Sequence, residues 1–124
     1  MNPDTRRKLA EVSTATLTTA LFKRGFRNAF LQGVLPLNPD APRMVGPAYT
    51  MRTIPAREDL DVLDAFKDPE HPQRKGVEEC PPGHVLVVDS RGDARAASGG
   101  GILLTRLMVR GAAGAVTDGG FRDS

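Results

Sequence analysis

The most continuous apolar run in the chain is residues 84–89, His-Val-Leu-Val-Val-Asp, set between Pro81-Pro82-Gly83 and Ser90-Arg91-Gly92-Asp93. An apolar run this short, closed on both sides by turn residues, predicts a strand buried on both faces. Downstream, residues 102–110 predict a helix with Ile102, Leu103, Leu107 and Val109 as its main apolar positions, ended by Gly111. Residues 112–118 are small and apolar and predict a second buried strand. Strand, helix and strand over 84–118 make a βαβ unit, whose crossover should be right-handed. Between them, residues 94–97 predict a short return strand ahead of Ser98-Gly99-Gly100-Gly101.

The first half is less regular. Asn2-Pro3 joins a capping side chain to a proline suited to the first helical position, and predicts a helix over 3–11. Ser13 caps a second helix over 14–24, with Leu17, Ala20 and Leu21 on one face and Lys23-Arg24-Gly25 as the stop. Four threonines inside it weaken the helix, because β-branching restricts side-chain rotamers there. Residues 26–43 read as loop, with Pro36, Pro39 and Pro42 as breakers. Residues 44–54 predict a strand, which Pro47 pushes toward an edge, a bulge or a late start. A short helix is expected over 59–66, carrying Leu60, Leu63 and Phe66, and an exposed loop over 67–76.

At 124 residues, with 40% apolar and 26% charged side chains, the chain suits a single folded domain over 1–124, and wholesale disorder is excluded. The net charge of +2 hides an asymmetry. Basic side chains gather in residues 1–30 (Arg6, Arg7, Lys8, Lys23, Arg24, Arg27), and acidic ones in 58–70 (Glu58, Asp59, Asp61, Asp64, Asp68, Glu70). Such runs fit solvated faces or subunit contacts. No basic stripe is interleaved with aromatics, so direct nucleic-acid binding is not expected. The single cysteine, Cys80, cannot close an internal disulfide and reads as a small residue beside a turn. No apolar stretch approaches the roughly 18–20 residues of a membrane span, and no signal peptide is visible, so a cytoplasmic location is expected.

Two features carry candidate chemistry. A triple glycine opening a helix presents unobstructed backbone amides to an anion, although close helix–strand packing also calls for glycine. It lacks the Gly-Lys-Ser/Thr of a phosphate-binding loop and the dinucleotide fingerprint. The second feature, Gly119-Gly120-Phe121-Arg122-Asp123, follows the carboxyl end of a buried strand, where ligands of α/β proteins gather. Arg122 offers a planar fork for a carboxylate and Asp123 a hard oxygen ligand for a divalent cation, or the two form a surface salt bridge. On an extended backbone they would point to opposite faces, so a turn must bring them together, and the preceding glycines permit one. Jointly, glycine amides and arginine would hold an α-keto acid carboxylate while a metal on Asp123 polarises the keto oxygen. That arrangement suits retro-aldol cleavage or β-keto acid decarboxylation.

The segment 98–124, SGGGILLTRLMVRGAAGAVTDGGFRDS, resembles the signature region of the RraA-like family. Residues 15–25, 31–39 and 43–52 also look like the family's N-terminal half, closest to a branch labelled ribonuclease activity regulators. The resemblance implies a metal-dependent lyase of the 4-hydroxy-4-methyl-2-oxoglutarate aldolase or oxaloacetate decarboxylase type. It implies pyruvate held by backbone groups of Gly100, Gly101, Ile102 and Leu103, substrate contact and catalysis through Arg122, and Mg²⁺ or Mn²⁺ anchored on Asp123. The implied fold is an α/β/β sandwich of the swivelling phosphohistidine-domain type, assembled as a trimer or hexamer with sites between subunits.

This sequence departs from the aldolase pattern at Gly101, where the family's first aspartate belongs, and at Thr19, where many members carry aspartate. It also stops one residue past Arg-Asp, so the family's C-terminal part is expected to be missing. The other reading the resemblance allows is a non-catalytic protein that binds and regulates a ribonuclease, and a third is a degenerate fragment.

Overall fold

The computed structural model describes residues 1–123. Two helices come first, α1 (Pro3–Glu11) and α2 (Thr14–Lys23), and the strand β1 (Ala48–Arg52) follows a long irregular stretch. Then come a single 3-10 turn (Ala65–Lys67), α3 (Pro72–Glu79) and β2 (Val85–Asp89). The chain continues through β3 (Ala97–Gly100), α4 (Gly101–Val109), β4 (Gly114–Thr117) and β5 (Gly120–Arg122).

The α/β class holds, but the swivelling phosphohistidine-type sandwich does not. Every strand pair among the described residues is parallel, in two separate sheets: three strands in the order β1-β2-β4, and two strands, β3 beside β5. The apolar run at 84–89 takes the centre of the larger sheet. Val85, Leu86 and Val88 are buried there, and Val87 is partly covered on the opposite side from Leu86 and Val88. The segment expected to return beside β2 instead starts three residues later as β3 and pairs with β5, so β2 and β4 are joined through both β3 and α4.

Two local expectations fail for identifiable reasons. The 67–76 stretch is not all loop, because α3 begins at Pro72, which as the first helical residue needs no amide acceptor. Gly76 discourages a helix on propensity, yet it is what lets α3 lie on β1, since a Cβ there would sit 2.9 Å from Met51 Sδ. The helix expected over 59–66 shrinks to the 3-10 turn. Leu60 and Leu63 are exposed, and the Asp61 carboxylate accepts from the Arg57 amide at 2.6 Å, which closes a tight turn instead.

The core forms where α3 and α4 cover the three-stranded sheet, from Val77, Cys80, Leu86, Val88 and Leu107. Cys80 is therefore more than a turn residue: it is fully buried, and that burial pushes its thiol pKa up, which makes it inert. Outside this cluster, Glu78 on α3 accepts from Arg106 on α4 at 2.8 and 2.9 Å and from Arg110 at 3.2 Å, tying the two helices at their exposed edge.

The two N-terminal helices bury no residue. They are held by local bonds, such as Asn2 accepting from the Asp4 amide and Ser13 from the Thr16 amide, and by Arg43 donating to the Val12 carbonyl at 2.7 Å. Ser13→Ala should cost α2 about 1 kcal/mol through the lost cap. Amide exchange across α2 should quicken while the melting temperature of the core stays unchanged.

Candidate functional site

The triple glycine leads a strand straight into a helix. Gly99 and Gly100 end β3, and Gly101 is the first residue of α4. Gly100 is the N-cap and contributes no side-chain cap. A helix leaves its first four amides without an intrahelical acceptor, and here those belong to Gly100, Gly101, Ile102 and Leu103. Ile102 is 87% exposed, so only its backbone can face a ligand bound at this helix start, whereas Leu103 packs partly against the core.

β5 brings Arg122 and Asp123 alongside. Gly100 registers with Arg122 in the parallel β3–β5 pair. A Cβ on Gly100 would lie 3.4 Å from Arg122 Cγ and Nε and 3.6 Å from Asp123 Oδ2. Gly100 and Gly101 thus stand beside Arg122 and Asp123 at the carboxyl end of β3 and β5, and Ile102 and Leu103 follow in the first turn of α4. The required turn is present, but Asp123 supplies it by taking φ 57°, while Gly119 and Gly120 keep ordinary backbone angles. Aspartate is among the few side chains that tolerate this left-handed conformation.

Arg122 Nε and Asp123 Oδ2 stand 3.8 Å apart, with their side chains 78% and 77% exposed. Such an exposed pair is worth little, so both groups remain available to a ligand. A Cβ on Gly101 would approach the Asp123 carbonyl oxygen at 3.2 Å. A side chain at 101 would require the Asp123 backbone to give way.

No group of three or more His, Cys, Asp or Glu side chains with metal-ligating placement occurs among the described residues. The neighbouring Asp118 is already committed, its two oxygens accepting from the Ser90 amide at 2.6 Å and the Gly92 amide at 2.8 Å. Asp123 is then the carboxylate at this edge that is free to meet a cation. A single carboxylate completed by water and substrate oxygens fits Mg²⁺, which keeps much of its water shell when bound.

One supporting device was not legible in the sequence. Ser90, Ser98 and Thr117 form a cluster of hydroxyls, with Oγ–Oγ distances of 2.7 Å (Ser90–Ser98), 2.7 Å (Ser98–Thr117) and 3.2 Å (Ser90–Thr117). Thr117 Oγ1 also accepts from the Gly119 amide at 3.0 Å, and Gln73 donates to the Ser98 carbonyl at 2.9 Å. These bonds fix the turn from β4 into β5, from which Arg122 and Asp123 hang. Widely spaced hydroxyl residues give no periodic signal that would have revealed them.

Comparison with known proteins decides the family. The model of the RraA-like family (Aldolase/RraA) matches residues 14–124. The chain belongs to the RraA-like family. A Halalkalibacterium halodurans protein named as a 4-hydroxy-4-methyl-2-oxoglutarate aldolase is 34% identical over 90 residues, covering 73% of this chain and 37% of that protein. The crystal structure of Streptomyces coelicolor RraAS2, described as an unusual member of the RNase ES inhibitor RraA family, superposes with a TM-score of 0.77 at 34% identity. That match covers 95% of this chain and 55% of RraAS2. An uncharacterised Pseudomonas syringae pv. tomato protein, 24% identical, matches in fold with a TM-score of 0.78 over 99% of this chain and 50% of its own. The chain thus spans about half the length, or less, of these relatives. Its RraA-like architecture replaces the swivelling-domain expectation. No described helix is long and apolar enough to cross a membrane.

Proposed function

We propose that this RraA-like chain carries the substrate- and metal-binding half of a lyase that cleaves a pyruvate-derived keto acid by retro-aldol or decarboxylation chemistry. The observation that supports this reading is the placement of Gly100 and Gly101, at the uncapped start of α4, beside Arg122 and Asp123. The helix-start amides and the Arg122 guanidinium hold the carboxylate of the keto acid and fix its orientation. Asp123 anchors the divalent cation. Bound there, Mg²⁺ or Mn²⁺ supplies Lewis-acid polarisation of the keto oxygen. Arg122 then faces the negative charge that develops as the carbon–carbon bond breaks, and stabilises it.

The active unit is an oligomer. Phe22, Phe26, Phe30, Leu31 and Leu35 are all more than half exposed, a concentration of apolar surface that supports contact between copies. A trimer or hexamer would cover it.

The test is pyruvate release, followed by a coupled assay, from 4-hydroxy-4-methyl-2-oxoglutarate and from oxaloacetate, with Mg²⁺ or Mn²⁺ and then with EDTA. Release that needs the metal is expected. A folded oligomer that releases none with either substrate overturns the lyase reading.

One observation favours a second reading. Gly101 stands where the resemblance places the aldolase aspartate, and a Cβ there would crowd the Asp123 carbonyl oxygen at 3.2 Å. A chain that had left catalysis would retain its surface for binding a ribonuclease, and capture of that enzyme should then be unaffected by Asp123→Asn.

A further inference from the structure

A cavity of about 690 Å³ lies apart from the glycine–arginine–aspartate cluster. It lies at the opposite end of β3, against Ala97 and Ser98, and over the carboxyl ends of β1 and β2. Its volume is that of an ordinary small-molecule site, and the carboxyl edge of a parallel sheet is where such sites form in α/β folds.

The polar groups facing this cavity divide into committed and free. The Asp61 carboxylate accepts from the Arg57 amide, and Arg52 Nε donates to Asp89 Oδ2 at 2.7 Å. The Arg95 guanidinium engages both oxygens of Asp93, at 2.9 and 2.7 Å. The Ser90 and Ser98 hydroxyls are used within their own cluster. Arg91 and His71 remain. Arg91 forms no ion pair among the described residues, although its backbone is pinned at φ 58° by the bond from its amide to Asp89 Oδ1. His71 packs against Phe66 with ring centroids 4.6 Å apart, and its buried Nδ1 has no hydrogen-bond partner. An unpartnered buried polar atom is costly, and a ligand that supplies the partner removes the cost. His71 also begins α3 without a side-chain cap, so the positive end of that helix adds to the same field.

Most of the remaining wall is apolar, from Met51, Ile54, Pro55, Ala56, Phe66 and Ala97. We propose that this cavity is a second ligand site, distinct from the glycine-loop site, that binds a small organic acid: an apolar body carrying one carboxylate, received by Arg91 and His71. The charge fits a single anionic group: the Arg91 guanidinium faces the space without an ion pair among the described residues, Asp93 is paired with Arg95, and the exposed Asp61 carboxylate is turned to the Arg57 amide. The apolar walls fit the body.

The experiment is a two-dimensional amide NMR titration of the full chain with benzoate, and with benzyl alcohol as its uncharged counterpart. Benzoate should give saturable shifts at Met51, Ile54, His71, Gln73 and Ala97. Benzyl alcohol should bind at least about tenfold more weakly, since a charge-assisted contact is roughly twice as strong as a neutral one. Arg91→Asn tolerates the left-handed backbone while removing the cation, and should weaken benzoate by a similar factor. Ala96→Leu, at an exposed position of the lining, should block the space without disturbing the core. Three results would each overturn the proposal: no saturable shift with benzoate, equal binding of benzyl alcohol, or shifts confined to Gly100–Leu103 and Arg122–Asp123. The lyase assay stands apart, because none of these residues belongs to the glycine-loop site.

Discussion

Asp123→Asn is expected to lower metal-dependent pyruvate release by roughly 10²–10³-fold, the scale on which loss of a group that stabilises developing transition-state charge is felt. That corresponds to about 3–4 kcal/mol at the barrier. Asparagine is the decisive replacement because of the backbone. Asp123 stands at φ 57°, where asparagine sits comfortably and alanine is strained by about 1 kcal/mol or more. Asp123→Ala would therefore mix loss of the ligand with distortion of the turn. The carboxylate contributes little to folding, being 77% exposed and only loosely paired with Arg122, so the melting temperature of Asp123→Asn should match the parent. Activity measured over a range of Mg²⁺ concentrations, alongside thermal melts, separates the two effects. Unchanged turnover in a variant that melts normally would remove Asp123 from the mechanism. Arg122→Lys makes a useful companion: it keeps the charge but loses the planar fork, so its main effect should be on KM.

The local pieces of the candidate site were easier to read in the sequence than the scaffold holding them. Glycines before a helix and an Arg-Asp pair after a strand state their chemistry locally, because amide exposure and side-chain type need no knowledge of the rest of the fold. The central strand was also legible, since Val85–Val88 is covered on both faces and therefore apolar throughout. α3 was not. Its start at Pro72 and its mid-helix Gly76 both look like loop residues, and the reason for the glycine is Met51, a partner distant in sequence. The place of β3 was missed for the same reason. Its partner is β5 and not the adjacent β2, and a segment composed of Ala97, Ser98, Gly99 and Gly100 has no side-chain pattern to announce a strand. The turn that gathers the site was expected from glycines and proved to be a property of Asp123 itself. The cavity beside His71 depends on three separated segments, so no local signal could show it.

Gly119→Val should destabilise the fold by about 3 kcal/mol, the upper range for forcing atoms into a filled space. For a domain of this size that is a fall in melting temperature of roughly 10 °C. A Cβ at 119 would stand 2.7 Å from Ser90 Cβ, 2.9 Å from Ser90 Oγ and 3.0 Å from the Asp93 carbonyl oxygen. The side-chain atoms belong to a hydroxyl bonded into the Ser90–Ser98–Thr117 cluster, and the carbonyl belongs to the backbone of the 90–93 turn, so neither can swing aside freely. The neighbouring glycine provides the control. A Cβ at Gly120 would meet Ala94 at an ordinary 3.7 Å, and Gly120 has no left-handed φ to lose, so Gly120→Ala should change the melting temperature little. The two variants also divide in function. Gly119 sits at the joint from which β5 presents Arg122 and Asp123, so displacing it should reduce turnover even below the melting transition, where the protein remains folded. Gly120→Ala should retain turnover. If both variants melted and turned over alike, close packing at Gly119 would not be what holds the site, and the hydroxyl cluster would have no part in aiming it.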